Sequence, residues 1–247
     1  MFPYDAALLA AAQTRPESIA DVVQTMQIIA ETCIDGDGLK WFNGLYLQVT
    51  QAVQARIASG EVGDSTWLAA LDVQFASRYF GALESSLSGQ PTPECWQVLF
   101  ASRDQVLIAR IQFALAGVNA HINYDLPRAL VATCKDTGII PQHSTTQYNE
   151  YTAMNSTLDG LIESAKKTLH VRLLGDTLPP FSHLEDTIAA WSVSAARESA
   201  WNNGELLWHL QAVPLLSSNL VGTRGGFTTV AGKALLVPVP AVQAVSG

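Results

Sequence analysis

Apolar residues recur at helical spacing along most of this chain. Ile19, Val22, Val23, Met26, Ile29 and Ala30 mark one face of a first clear helix, which starts after Thr14-Arg15-Pro16-Glu17 and stops near Asp35-Gly36-Asp37-Gly38. Trp41, Phe42, Leu45, Val49, Val53 and Ile57 predict a second helix, with Gly60 where a left-handed cap belongs. A third, capped by Asp64 or Ser65, carries Trp67, Leu68, Leu71, Phe75, Tyr79 and Leu83 on one side and ends at Ser88-Gly89. Thr92-Pro93-Glu94 opens a fourth segment that runs to Asp125 with a bend near Ser102-Arg103. Pro127 then interrupts it, because a proline pushes its predecessor out of the α region, and a short helix restarts as far as about Lys135. Thr137 to Ser144 reads as a connector, Thr145 to Leu174 as a long amphipathic stretch, and Ser182 to Gln211 as the last strong helix. Ser182 and Glu185 form its capping box, and Ile188, Trp191, Ala195, Trp201 and Trp208 its inner face.

No β-hairpin pattern and no fixed-period repeat occurs within 15–212. The expected fold is all-α: a single-domain bundle of six to seven helices over residues 15–212, after an N-terminal segment (1–14). Residues 213–247, with Gly222, Gly225-Gly226, Pro238 and Pro240, lose the helical period and read as an extended or mobile tail.

Composition narrows the function classes. Charged residues are 15% of the chain, well below the roughly 25% of ordinary domains, and hydrophobic ones are 48%. A large apolar interior is therefore expected. The net charge of −8 opposes binding to phosphate backbones, so nucleic acid is set aside as a partner. No apolar run reaches membrane-span length and no basic residue precedes the first Ala/Leu stretch, so the expectation is a soluble, cytoplasmic protein without a membrane partner. Cys33, Cys95 and Cys134 are odd in number and widely spaced, which suits free thiols.

The run from Ala116 to Pro127 concentrates the candidate chemistry. Asn119, His121, Asn123 and Asp125 enter a helix that is otherwise apolar on nearly every side, where an unpaired polar group costs about 1–3 kcal/mol. At helical spacing Asn119 and Asn123 share one side, and His121 and Asp125 share the roughly opposite one. A carboxylate one turn from an imidazole can orient it as a general acid or base, or the two can converge on a metal. The structural alternative is a capping Asp125 and a satisfied core histidine, with the asparagines cross-linking backbone.

This run resembles the A-G-x-N-A-H-I-N-x-D-L signature of an uncharacterised domain-of-unknown-function family of helical bacterial proteins. Trp41-Phe42-x-x-Leu45-Tyr46-x-x-Val49-Thr50, Leu71-Asp72-Val73-x-Phe75-Ala76-x-Arg78-Tyr79 and Arg197-x-x-Ala200-Trp201 are similar to it as well, and the likeness covers about residues 18–212. The family brings no settled activity. Its members place a second histidine where this chain has Gln112, which weakens a two-histidine metal site. The matched pieces nominate Asp72, as a group facing His121, and Arg78, as partner of a carboxylate. They also nominate Arg197, lying against Trp201 and reaching an acid, and the hydroxyls of Tyr46 and Tyr79.

The leading expectation is a non-redox enzyme (cyclisation, isomerisation, elimination or hydrolysis) acting on a small, mainly apolar molecule in a cavity beside His121. Asp125 would orient the imidazole, with Asp72, Arg78, Tyr79, Asn119, Asn123, Tyr46, Arg197 and Trp201 around it. One alternative is a single divalent metal at His121, Asp125 and Asp72. The other is a non-catalytic binding or scaffold protein. No dinucleotide, P-loop, zincin or serine-elbow motif is present, and Asp35-Gly36-Asp37-Gly38 lacks the Glu of a calcium loop, so it reads as a turn. Glu205 and His209 read as an exposed pair at a helix end. Apolar tail residues Leu235, Leu236 and Val237 point to a homodimer.

Overall fold

The computed structural model describes residues 2–174 and 192–238. Their regular structure is all helix, with no strand among them: α1 (Asp5–Ala12), α2 (Ile19–Thr32), α3 (Gly38–Ala58), α4 (Ser65–Leu87), α5 (Glu94–Ser102), α6 (Arg110–Ala120), α7 (Leu126–Thr137), α8 (Thr146–Ala153), α9 (Asn155–Leu174), α10 (Val193–His209) and α11 (Pro214–Leu235). The fold is all-α, as expected, with more helices than the six to seven anticipated. The capping box proposed at Ser182 and the inner-face residues Ile188 and Trp191 lie outside the described residues. The helix expected to run unbroken from Ser182 to Gln211 instead has its start at Val193, because Ser192 is extended and its hydroxyl accepts from the Ala195 N–H as an N-cap.

The periodic faces become the core. Ile19, Val22, Met26 and Ile29 of α2, Phe42, Leu45 and Val53 of α3, and Trp67, Leu68, Leu71, Phe75, Tyr79 and Leu83 of α4 are all buried. Asp64 caps α4 by accepting from the Trp67 N–H, and Gly60 and Gly89 take positive φ after α3 and α4. Helix α6 runs through the centre, packed by α3 on one side and α11 on another. Close approach of α3 depends on Gly117: a Cβ there would lie 2.2 Å from the Phe42 ring.

Three expectations change. The long fourth segment is broken: α5 ends at Ser102, and α6 begins only after Ala109, whose backbone is extended and whose N–H is held by the Gln112 side chain. Arg103 forces the break by turning inward. Its guanidinium is forked onto Asp37 and also donates to Asp5 (3.0 Å), while its carbonyl accepts from the Gly38 N–H. Asp37, read as part of a turn, is also the N-cap of α3.

Second, Pro127 does not interrupt the helix. His121–Asp125 form a π-helical turn, and the Leu126 N–H reaches back five residues to the His121 carbonyl. The wider turn admits a ring that would collide with the carbonyl four residues back in a regular helix, so α6 runs on into α7. Third, the expected extended tail is helical from Pro214 to Leu235. It lies across α5 and α6, with Thr228, Thr229, Gly232 and Leu235 buried. Leu235 and Leu236 are therefore interior, which removes them as an exposed dimer patch. Val237 is exposed.

Candidate functional site

His121 opens the π-turn on the side of α6 that faces α3, α4 and α5. The Phe75 ring stacks on the imidazole at 3.5 Å between centroids and 5° between planes. Tyr46 stands edge-on at 4.5 Å, and Phe42, Trp96 and Tyr79 close the shell at 5.7 to 6.2 Å. The turn brings Asp125 round to the same side: His121 Nδ1 lies 3.0 Å from Asp125 Oδ2, and the Trp96 indole N–H donates to that same oxygen at 2.9 Å. With a carboxylate as acceptor, Nδ1 carries the proton and Nε2 presents a lone pair. Burial pushes the His121 pKa down, against the opposing pull of Asp125, so the imidazole is held neutral.

Nε2 is buried and has no hydrogen-bond partner among the described residues, and the same is true of Asp72 Oδ2; the Tyr46 and Thr50 hydroxyls are buried too and meet only each other, without good hydrogen-bond geometry. Desolvation raises the Asp72 carboxyl to about 7. Burial also lifts the Tyr46 hydroxyl well above its ordinary range, with the Asp72 charge adding to it. An apolar interior thus holds a neutral base, a high-pKa hydroxyl and an acid that keeps its proton to near neutrality.

The other nominated residues divide. Tyr79 is engaged: its hydroxyl donates to Asn43 Oδ1 (3.2 Å), and the Asn43 amide donates to the Met26 carbonyl. Asn119 and Asn123 face away from His121, as their spacing predicts. Asn119 Nδ2 donates to the Thr228 carbonyl of α11, and Asn123 Nδ2 donates to Asn119 Oδ1, so both anchor the C-terminal helix. Arg78 does not pair with a carboxylate; its Nη2 donates to the Arg128 carbonyl (2.8 Å). Arg197 lies over Tyr151, not Trp201, and binds Asn155 Oδ1 and the Tyr151 carbonyl instead of an acid. The cause is the break at Met154, which brings Tyr151 and Asn155 under the guanidinium. The Trp201 indole donates to Glu205, and Glu205 meets His143 at 2.9 Å rather than His209.

Among the described residues no three His, Cys, Asp or Glu side chains gather to hold a metal ion, and Asp72 is not joined to His121 and Asp125 in such a set. The grooves of 750, 560 and 280 Å³ on the described surface are not lined by His121. Spacing alone could not find Trp96 and Asn43, which act across 29 and 36 residues. Gln112 was noticed only as a missing histidine. It holds the end of α11 by donating to the Leu235 and Val237 carbonyls, both at 2.8 Å.

Fold and site together define an all-α bundle protein organised around a buried His–Asp–Trp unit on a π-turn. A family model described as "Family of unknown function (DUF5995)" matches residues 19–238, and the chain belongs to that family. The match reaches past 212, so it takes in α11, which the sequence resemblance left out. No curated protein and no solved structure matches the chain.

Proposed function

We propose that this protein is a non-redox enzyme for a small molecule with an apolar body, in which His121 moves a proton at one substrate atom and Asp125 holds the imidazole in the required tautomer. The observation that carries the reading is His121 Nε2: neutral, buried and without a partner among the described residues, while Nδ1 is fixed by an Asp125 that Trp96 also holds. Tyr46 and Asp72 supply hydroxyl and carboxyl protons from neighbouring helices, and the surrounding rings suit an apolar substrate. Isomerisation, elimination, cyclisation and hydrolysis each need such a proton transfer. Because Phe75 stacks directly on the imidazole, substrate entry requires the aromatic shell to open.

A second reading, a scaffold whose polar run only fixes helix register, draws on the amide anchors made by Gln112, Asn119 and Asn123. Two measurements separate them. Nitrogen-15 NMR of the imidazoles is expected to find His121 neutral at pH 7 with its proton on Nδ1. A thermal-shift screen of small molecules is expected to yield compounds that stabilise the parent but not His121→Gln, and these are then followed for product by mass spectrometry. A proton on Nε2, or hits that act equally on both proteins, would overturn the catalytic reading in favour of the scaffold.

A further inference from the structure

We propose that Arg78 and Arg128 form an oxyanion subsite beside the His121–Asp125 pair, one that takes a carboxylate or phosphate group carried by a small molecule. This deepens the catalytic reading by assigning the substrate a charged end, but its test does not depend on catalysis.

Both guanidinium groups are held in place by something other than an anion. Arg78, on α4, is tied by Nη2 to the backbone carbonyl of Arg128 on α7. Arg128 lies over the Tyr124 ring, 4.3 Å from its centroid. The carboxylate nearest to Arg128 is Asp125, whose Oδ1 is 3.7 Å from Nη1, beyond hydrogen-bond reach. The other oxygen of Asp125 is already committed to His121 and Trp96. Arg78 Nε and Arg128 Nη1 are buried N–H donors with no acceptor among the described residues.

Two cations thus share one carboxylate that is already engaged, in a chain whose net charge is −8. Burial and the adjacent Arg128 lower the Arg78 pKa to about 10, with Asp125 pulling the other way. Arg103 and Arg197 are bonded more fully, Arg103 forked onto Asp37 and reaching Asp5 and Arg197 donating to Asn155 and to a carbonyl; Arg56, 3.7 Å from Glu150, also keeps a buried Nε without an acceptor among the described residues, but it stands alone, whereas Arg78 and Arg128 lie together. An arriving oxyanion would supply the missing acceptors, and fixed guanidinium forks are the side chains best matched to its geometry. Asp125 touches both sets of groups, so an anion held by Arg128 would sit close to the imidazole without displacing the bond that orients it.

The test titrates the full chain with inorganic phosphate at constant ionic strength, following the arginine Nε–H and imidazole signals by NMR. Saturable shifts at Arg78 and Arg128 are expected, with a rise in the His121 pKa. Binding should weaken by about tenfold or more in Arg128→Gln and in Arg78→Gln, the loss of one charge-assisted contact, and stay unchanged in Lys40→Gln. Arg128 is 27% exposed, so its variant carries the test if Arg78→Gln does not fold. His121→Gln should retain phosphate binding within about twofold, since separate groups act nearly additively. The subsite can then stand if catalysis fails, and the reverse. Absence of saturable shifts at the two arginines, or undiminished affinity in Arg128→Gln, would overturn the proposal.

Discussion

Replacing Asp72 by asparagine is expected to stabilise the protein at alkaline pH and to do nearly nothing in acid. Asp72 lies inside α4, buried, with one oxygen lacking a partner among the described residues, and desolvation raises its pKa from 3.8 to about 7. Each tenfold step in that rise is worth about 1.4 kcal/mol, so the charged form costs about 4 kcal/mol once the pH passes 7. The direction follows from proton counting. Between 3.8 and about 7 the folded chain keeps a proton that the unfolded chain has released, so stability falls as pH rises across that window and levels off above it. Asparagine removes this slope, while its amide keeps a desolvation cost of about 1–3 kcal/mol that does not vary with pH. Urea unfolding at pH 4.5 and pH 8 measures the difference. With a slope of about 2–3 kcal/mol per molar for a chain this size, the variant's midpoint should gain roughly 1–2 M on the parent between the two pH values. Parallel pH profiles for parent and variant would refute the reasoning, because they would place the Asp72 carboxyl in contact with water or a donor.

Three further outcomes are expected. Gly117→Ala should destabilise by about 1–3 kcal/mol, since a Cβ there meets the Phe42 ring at 2.2 Å and must push α3 from α6; thermal unfolding reads it. His143 sits between Glu198 (3.1 Å) and Glu205 (2.9 Å), which raise its pKa, with the Glu198 hydrogen bond the largest cause. Its contribution is therefore complete below about 6.5, the ordinary histidine value, and is lost as pH rises through the folded-state pKa. His143→Ala should lower the midpoint at pH 5.5 more than at pH 8.5, only modestly because the side chain is 40% exposed. Gln112→Ala should free the Leu235 and Val237 carbonyls and speed amide exchange over the last turns of α11, with α3 and α4 unchanged.

Much of the fold was legible because local spacing carries it. The apolar stripes of α2, α3 and α4 face the core as their periods predict, and the His121–Asp125 pair one turn apart meets as spacing implies. What was not legible depends on distant partners. Helix α11 contains Gly222, Gly225, Gly226 and three threonines, a composition that does not favour a helix on its own. It forms against α5 and α6, with the Asn119 amide holding it across 109 residues and Gln112 across 123. Thr228 and Thr229 return their hydroxyls to carbonyls one turn back. The break at Arg103 has the same origin, because Asp37 lies 66 residues away. Pro127 was expected to interrupt the helix by pushing Leu126 out of the α region, yet Leu126 stays there (φ −60°, ψ −42°), because the π-turn before it makes the room that the ring needs.

The interior treats its polar groups in two ways, and the contrast bears on function. Several polar side chains that hold elements together are well bonded: Asn43 bridges the Met26 carbonyl and the Tyr79 hydroxyl, Arg103 joins α1, α3 and the loop after α5, and Tyr151 donates to the Arg197 carbonyl. Around Phe75 the chain leaves His121 Nε2 and Asp72 Oδ2 without partners among the described residues, and Tyr46 Oη with only the Thr50 hydroxyl beside it, on three different elements. Each orphan costs about 1–3 kcal/mol, and an apolar side chain of similar volume would avoid that cost. On the catalytic reading proposed above, a molecule inserted among the rings would supply partners to these groups, and the stability forgone in its absence would be the cost of keeping a site ready for it.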